Sequence, residues 1–376
     1  MIGTVVGMLF AAAPVLTPAP QFTQDWVWCA NSGHVFSLDL SISGCTAVIR
    51  FGREPPHNLS IAFHNRANAH FGKGDLDSAI ADYDRAIQQD ANNAGAFANR
   101  GQAFAAKGDA QRAIADFNEA IRRDPHYAKT FHSRGLAYYR QQDYQQAAAD
   151  LTRAIELEPA NAVAFYTRGL VHYAQRHYNR AVADYSAAIR LNSDYAFAYG
   201  NRARAYRSLG NLDRAIADFD RSLTLDPNNA NDFNGRGVIY FDKKQYARAI
   251  EDFDQAIRLD PEQSLALSNR CWSKALVGEQ LLQALADCNE ALRLRPHHAA
   301  TIANRAFVYL RLADPHRAIA DYNAALELDP KNAHALHGRS LARRQSGDAD
   351  AAEVDAAAAK LIRPDVSAEF VNGNIN

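Results

Sequence analysis

The chain has 376 residues, and its 41 basic residues nearly balance its 42 acidic ones, which gives a net charge of −1. This balance lacks the basic excess that attracts nucleic acids or anionic membrane surfaces. Charged residues make up 22% and hydrophobic residues 48% of the sequence, so most of the chain is predicted to fold rather than remain disordered. No apolar run reaches the ~18 residues that a membrane-spanning helix requires.

The first segment, residues 1–20, reads MIGTVVGMLFAAAPVLTPAP and is uncharged, apolar and rich in alanine. This composition is typical of the hydrophobic region of a secretory signal, and a proline-rich break follows it. The segment lacks the basic N-terminal region that such signals usually carry, so an apolar leader without export function is the alternative. We interpret residues 1–20 as a signal or leader segment.

The second segment, residues 21–59, contains Cys29 and Cys45, which are 16 residues apart. Another pair, Cys271 and Cys288, is 17 residues apart in a stretch that carries one inserted residue. The two spacings match once that insertion is removed. Residues 25–50 are therefore predicted to form a divergent helix hairpin, and we assign 21–59 as an N-terminal cap for the repeating region that follows.

Residues 60–366 repeat with a period of 34 residues when the frame starts at Ser60. Position 20 of the frame is alanine in every copy, position 8 is small, and position 32 is usually proline. Apolar residues recur at helical spacing and turn signals lie mid-copy, so each copy is predicted to be a helix–turn–helix unit that proline ends. One hairpin cannot bury its apolar side alone, so the copies must stack into a solenoid. The predicted repeats are 60–93, 94–127, 128–161, 162–195, 196–229, 230–263, 264–298, 299–332 and 333–366.

At these positions the sequence resembles the tetratricopeptide repeat (TPR) family over about four-fifths of its length. The resemblance implies an all-α fold, a right-handed superhelical α-solenoid of about nine helix-turn-helix repeats with capping helices at both ends. It also implies that the first helices line a concave groove and that the protein is a binding scaffold. The last copy departs from the pattern, with Arg343 and Ala356 where aromatic residues are usual. We interpret this copy as a polar C-terminal cap, followed by a tail over 367–376.

Position 7 of the frame is arginine and position 23 is aspartate in every copy. In a hairpin folded near position 15, these two positions lie almost opposite, and arginine suits a fixed, two-pronged pair with a carboxylate. We predict a structural ion-pair ladder, whereas a row of anion-binding arginines is the alternative. The predicted pairs are Arg66–Asp82, Arg100–Asp116, Arg134–Asp150, Arg168–Asp184, Arg202–Asp218, Arg236–Asp252, Arg270–Asp287, Arg305–Asp321 and Arg339–Asp355.

Position 6 of the first helix is predicted to face the groove and is often asparagine. An amide both donates and accepts hydrogen bonds, which matches the backbone of an extended peptide. The arrangement is similar to the asparagine ladder in the TPR superhelix of O-linked N-acetylglucosamine transferases. Because other residues interrupt the series, solvated and locally satisfied asparagines are the alternative. The candidate peptide-binding asparagines are Asn65, Asn99, Asn201, Asn269 and Asn304.

A second resemblance is to the carboxylate clamp of co-chaperone TPR proteins, which binds a terminal carboxylate. Asn68, Asn99 and Lys129 match that pattern, whereas His64 and Ser133 depart from it. The departures remove the second strong cation, on which most of the affinity of such a clamp would depend.

Aromatic residues also recur on the first helices near the predicted groove. They could anchor a partner, but at helical spacing such residues more often pack between repeats. These aromatic residues are Phe71, Tyr139, Tyr166, Tyr173, Phe197, Phe241, Trp272 and Phe307.

Four cysteines allow three pairings, and pairing Cys29 with Cys45 and Cys271 with Cys288 is the one that needs no contact along the solenoid. Closing a loop of ~16 residues would stabilise the fold by about 3 kcal/mol. Disulfides persist in oxidising compartments, whereas four buried free thiols in a cytoplasmic protein are the alternative. The stretches around both cysteine pairs and AAKLIRPDVSAEF also resemble a group of exported, mostly alphaproteobacterial TPR proteins. That resemblance implies a periplasmic or cell-envelope location.

The sequence contains no phosphate-cradling glycine loop, HExxH or GxSxG motif, and no CxxC or clustered Cys/His spacing for zinc. We therefore predict a non-enzymatic scaffold without catalytic residues, metal or cofactor. Its predicted partner is a protein or peptide bound in the groove, with no nucleic-acid partner and no integral membrane segment. The alternative is a structural or self-assembling envelope protein that acts through homo-oligomerisation.

Overall fold

The computed structural model describes residues 20–371, so the predicted leader lies, up to residue 19, outside the described residues. Between residues 20 and 371 the chain forms α-helices joined by short turns, with no β-strand. None of these helices is both long enough and apolar enough to cross a bilayer. The helices are α1 Pro20–Ala30, α2 Leu38–Phe51, α3 Pro56–Gly72, α4 Leu76–Gln89, α5 Ala94–Ala106, α6 Ala110–Arg123, α7 Ala128–Arg140, α8 Tyr144–Leu157, α9 Ala162–Ala174, α10 Tyr178–Leu191, α11 Ala196–Ser208, α12 Leu212–Leu225, α13 Ala230–Asp242, α14 Tyr246–Leu259, α15 Ser264–Val277, α16 Leu281–Leu294, α17 Ala299–Arg311, α18 Pro315–Leu328, α19 Ala333–Gln345, α20 Ala349–Ile362 and α21 Ala368–Val371.

The chain divides into two compact units, the first ending at Val171 and the second beginning at His172, within α9. In the first unit, α1 to α8 pack in chain order, each hairpin against the next. In the second unit, α10 to α20 do the same, and the first helices α11, α13, α15, α17 and α19 also contact one another in sequence. The predicted all-α solenoid of stacked helix–turn–helix repeats is confirmed.

The turn inside a repeat contains at least one residue with left-handed backbone geometry, and in several repeats a side chain also caps the helix that follows. Gly74 and Gly108 have φ values of 78° and 83° in this turn, and Gln142 has 62° at the equivalent place. Glycine adopts this conformation without steric cost. Asp75 and Asp109 then cap the second helices by accepting a hydrogen bond from the backbone NH three residues later.

The small residues at position 8 make room for a buried ring at position 24. A Cβ atom added to Gly101 would lie 2.8 Å from Cε1 of Phe117, and one added to Gly237 would lie 2.7 Å from Cε1 of Phe253. Both rings are almost fully buried. The two helices of a repeat can therefore approach closely because position 8 carries little or no side chain.

The N-terminal hairpin of α1 and α2 is stacked on α3 as another helix pair. Its helices meet at Gly44, where an added Cβ would lie 2.7 Å from the Asp25 carbonyl oxygen. The next helix, α3, begins at Pro56, before Ser60, because proline suits the first helical position.

The segment after α20 folds back onto the second unit. Val366 is fully buried and Phe370, in the short helix α21, is only 2% exposed. Both belong to a core cluster shared by α15 to α20. The first part of the predicted tail over 367–376 is thus part of the folded core.

Candidate functional site

Eight arginines at position 7 make a two-pronged pair with the aspartate at position 23 of the same repeat. Nε and Nη2 of the arginine donate to the two carboxylate oxygens, over distances of 2.5 to 2.9 Å. The pairs with this geometry are Arg66–Asp82, Arg100–Asp116, Arg134–Asp150, Arg202–Asp218, Arg236–Asp252, Arg270–Asp287, Arg305–Asp321 and Arg339–Asp355. Arg168 lies in the first unit and Asp184 in the second, where Asp184 is 3.7 Å from Nε2 of His172.

The remaining terminal nitrogen of each arginine, Nη1, donates to a polar side chain on the second helix of the preceding repeat. This third bond spans 2.5 to 3.1 Å. Its acceptor stands at position 25, and its identity varies. The acceptors are Thr46, Asp84, Asn118, Thr152, Ser186, Asp220, Asp254, Asn289 and Asn323.

Through these bonds, all three nitrogens of the guanidinium group connect neighbouring helices. The paired aspartates are buried except Asp321, which is partly exposed, and the hydrogen bond that Arg100 donates to Asp116 raises the pKa of Arg100. Burial raises the pKa of Asp252 even though Arg236 opposes that shift. Because each of the three guanidinium nitrogens already donates to a partner within the chain, the arrangement supports the structural ladder over a row of anion-binding arginines.

Both predicted cysteine pairs are disulfide-bonded, and each bond joins the two helices of one hairpin. Cys271 and Cys288 occupy positions 8 and 24, where the preceding repeat has Gly237 in contact with Phe253. The disulfide therefore takes the place of the ring contact. Two disulfides are compatible with an exported protein.

The clamp candidates Asn68 and Asn99 lie together in the first unit. Nδ2 of Asn99 donates to Oδ1 of Asn68 over 2.9 Å and lies 3.0 Å from Nε2 of His64. Oδ1 of Asn68 also accepts from the Tyr83 hydroxyl, over 2.7 Å. Lys129 is exposed, and burial lowers the pKa of His64, so the histidine does not replace the missing cation.

Three of the other predicted asparagines also have partners within the chain. Nδ2 of Asn201 donates to the Phe197 carbonyl oxygen, and Nδ2 of Asn304 to the Ser268 carbonyl oxygen. Nδ2 of Asn269 donates to Oδ1 of Asn234. Asn65 lines a cavity of about 110 Å³ beside α1 and α2. These contacts favour the locally satisfied alternative for a ladder built from position 6 alone.

A larger cavity of about 730 Å³ lies in the second unit against α11 and α13. Many of its lining residues stand at positions 2, 5, 9 and 12 of the first helices, and we call the surface formed by these positions the groove face. The lining residues that matter here are Phe197, Asn201, Arg204, Arg207, Asn231 and Asn234.

A buried carboxylate anchors the cationic part of this cavity. Asp232 is 1% exposed, and its Oδ1 accepts from Nη2 of Arg204 over 2.6 Å. Its Oδ2 accepts from the Ser222 hydroxyl, also over 2.6 Å. An added Cβ on Gly200 would lie 2.5 Å from this carboxylate, so glycine is required for the close approach. Arg204 is therefore held in one orientation at the cavity wall.

Farther along the groove face, α15, α17 and α19 carry an aromatic cluster formed by Trp272, Phe307, His334 and His337. The Phe370 ring lies against it, with centroid distances of 5.2 Å to Phe307, 4.6 Å to His334 and 4.8 Å to His337. Burial, with a smaller effect from the Arg363 charge, lowers the pKa of His334 to about 3. Its Nε2 atom is buried without a hydrogen-bond partner among the described residues.

Sequence profiles of tetratricopeptide repeats match most of the repeating region. Profiles described as "Tetratricopeptide repeat" match residues 166–230, 304–365 and 230–263, and one described as "TPR repeat" matches 67–108, 101–142 and 135–176. The chain belongs to the tetratricopeptide repeat family. No curated protein matches its sequence.

Solved structures similar to this TPR protein include repeat proteins of several lengths. The APC/C hetero-tetramer Cut9–Hcn1 shares 14% identity, with a TM-score of 0.55 and coverage of 94% of this chain and 89% of that one. A tetratricopeptide repeat protein from Parabacteroides merdae shares 20% identity, with a TM-score of 0.51 and coverage of 66% and 97%. YrrB, described as a TPR protein with an unusual peptide-binding site, shares 25% identity, with a TM-score of 0.43 and coverage of 49% and 95%.

Sequence reasoning missed several residues of the groove face in this TPR protein. Arg204, Asn231 and Asn234 stand outside position 6. The residues at the equivalent positions of the other repeats are of different types. Asp232 could have been noticed in the sequence, because it is the one charged residue at position 3, which is otherwise alanine or threonine. Within residues 20–371, no group of three or more His, Cys, Asp or Glu side chains could hold a metal ion.

Proposed function

We propose that this TPR protein is a non-enzymatic scaffold that binds an extended segment of a partner protein on the groove face of its second unit. The TPR fold indicates protein or peptide partners. The observation that carries the proposal is the cavity of about 730 Å³ along α11 and α13, where backbone-binding amides, a fixed cation and an exposed ring converge.

Each of these groups suits a different part of a peptide. Oδ1 of Asn231 and Oδ1 of Asn234 already accept from Gln263 and Asn269, whereas their Nδ2 groups can donate to carbonyl oxygens of a peptide backbone. The Phe197 ring is 58% exposed and offers an apolar contact. Arg204, held by Asp232, offers its remaining donors to a carboxylate. The preferred segment is therefore extended, with an acidic residue beside an apolar one.

The proposal includes an oxidising location in the cell envelope. Both disulfides support it, because such bonds are maintained outside the reducing cytoplasm. The partner segment would then belong to another exported protein.

A display library of random 12-residue peptides, selected on the full chain, tests the binding role. We expect enriched peptides to share an acidic residue and to lose affinity by about tenfold or more in the double variant Asn201→Ala/Asn234→Ala. Asn192→Ala is the matched control, because Asn192 is exposed in the turn before α11 and lies outside the cavity. Selection of no peptide, together with large assemblies in light scattering, would support the self-assembling alternative instead.

A further inference from the structure

The C-terminal segment 364–371 covers a part of the groove face that would otherwise be open. Phe370 contacts Trp272, Phe307, His334 and His337. Trp272 and Phe307 stand at position 9 of their repeats, and His334 and His337 at positions 2 and 5. The same positions line the open cavity on α11 and α13. The segment thus lies where a bound peptide would lie.

The segment is held by side chains rather than by backbone pairing. Val366, Ala368 and Phe370 donate their backbone NH groups to carbonyls of Arg363, Asp365 and Ser367, all within or next to the segment. Among the side chains described in this segment, those of Val366 and Phe370 are buried. An attachment through two apolar side chains can be exchanged for an equivalent one without unfolding a repeat.

The groove face beside the segment is not filled. A cavity of about 340 Å³ adjoins Asp365 and Ala368 and is lined by Phe241, Tyr246, Trp272 and Leu276. An incoming chain could therefore contact Trp272 before the segment leaves. Trp272 is thus the member of the aromatic cluster that this cavity reaches.

We propose that Trp272, Phe307, His334 and His337 form a socket for an aromatic side chain of a partner segment, and that Phe370 fills this socket as an internal competitor. The favoured partner carries an aromatic residue four positions after an aliphatic one, as Phe370 follows Val366. This proposal rests on the peptide-binding role of the groove face and adds its regulation. A tethered segment acts at an effective concentration on the order of millimolar, so it excludes weak ligands and yields to strong ones.

The test uses the full chain and, as the probe, a fluorescein-labelled peptide of its own residues 364–376, PDVSAEFVNGNIN. We expect the variant Phe370→Ala to bind this peptide at least about tenfold more tightly than the wild type, because the internal competitor is weakened. The same peptide with alanine in place of its phenylalanine is the control and should not bind. Absence of peptide binding to folded Phe370→Ala would overturn the proposal.

Hydrogen exchange on the wild type covers the case in which Phe370→Ala does not fold. We expect the backbone amides of 366–371 to exchange at least about tenfold faster than those of α19, because the segment detaches while the repeats stay folded. Equal protection would mean that the segment leaves only on global unfolding, and would contradict the competitor role.

Two other outcomes separate this inference from its alternatives. A wild-type dimer that Phe370→Ala abolishes would assign the socket to the C-terminal segment of a second copy and would overturn the partner role. Peptides from the display library that bind at α11 and α13 while PDVSAEFVNGNIN does not bind Phe370→Ala would overturn the socket alone. The proposed function of the open cavity would then stand.

Discussion

Arg202 donates two parallel hydrogen bonds to Asp218, each 2.7 to 2.8 Å long, across the hairpin of α11 and α12. A third donor of the same guanidinium reaches Ser186 on α10. One side chain therefore joins three helices. Substitution of this arginine would leave a buried carboxylate without its partner.

We expect Arg202→Ala to lower the free energy of unfolding by about 3 kcal/mol, the usual cost of breaking a buried pair. Arg221→Ala is the control, because Arg221 forms one exposed pair with Asp194 and should cost less than about 1 kcal/mol. Thermal and denaturant unfolding measure both. Unchanged stability combined with lost peptide binding would favour the anion-binding alternative.

The disulfide in the seventh repeat should be replaceable by the packing that its neighbours use. We expect Cys271→Ala/Cys288→Ala to destabilise the fold by about 3 kcal/mol. The pair Cys271→Gly/Cys288→Phe should lose less, because it recreates the contact between Gly237 and Phe253. Reductant should lower the melting temperature of this variant less than that of the wild type, because only the bond between Cys29 and Cys45 remains to be reduced. If both double variants are equally unstable, the surrounding core is shaped to the sulfur atoms.

His334 should make stability depend on pH. Its folded pKa of about 3 lies below the ordinary value of 6.5, so the unfolded chain takes up a proton first as the pH falls. The stabilising contribution is present above pH 6.5 and is lost as the pH falls toward 3. Because the ring is partly exposed, we expect a loss of about 1 kcal/mol between pH 7 and 5.

The variant His334→Gln isolates this effect, because glutamine does not titrate. Its unfolding free energy should vary less with pH than that of the wild type between pH 7 and 5. The exposed His126 supplies the control, since His126→Gln should keep the wild-type slope. His337 also has a pKa lowered by burial and should account for part of the remaining slope. A slope that His334→Gln leaves unchanged would contradict the prediction.

Protein isolated from its native host should contain no free thiols. We expect alkylation to add mass only after reduction, because all four cysteines are paired. Intact-mass measurement would also report whether residues 1–20 are removed. Alkylation of four thiols without reductant would place the chain in a reducing compartment and contradict the envelope location.

The period of the sequence was sufficient to predict the helix pairs and the partners at positions 7 and 23. Each repeat presents the same residue there, so the pattern can be read without coordinates. The third arginine bond was missed because its acceptor varies, for example Asp84, Asn118 and Ser186. Carboxylate, amide and hydroxyl oxygens can all accept from guanidinium, so no single residue type marks the position.

The groove face was harder to predict for a different reason. Its residues are free to differ between repeats because they do not hold the hairpins together, and Arg204 and Asn231 therefore have no periodic counterpart. Phe370 lies beyond the last repeat, so the 34-residue frame does not predict which residues it contacts. Its position depends on a reversal of the chain after Ile362 and on the cluster around Trp272.

The varied acceptor at position 25 bears on how such a chain can change its length. Asp220 and Asn289 both accept from the arginine of the next repeat, so a repeat needs no particular neighbour on its N-terminal side. Duplication or loss of one whole repeat by unequal recombination would leave every guanidinium at the new junction with an acceptor. The junctions are thus interchangeable, while the groove-face residues carried by each repeat can diverge independently.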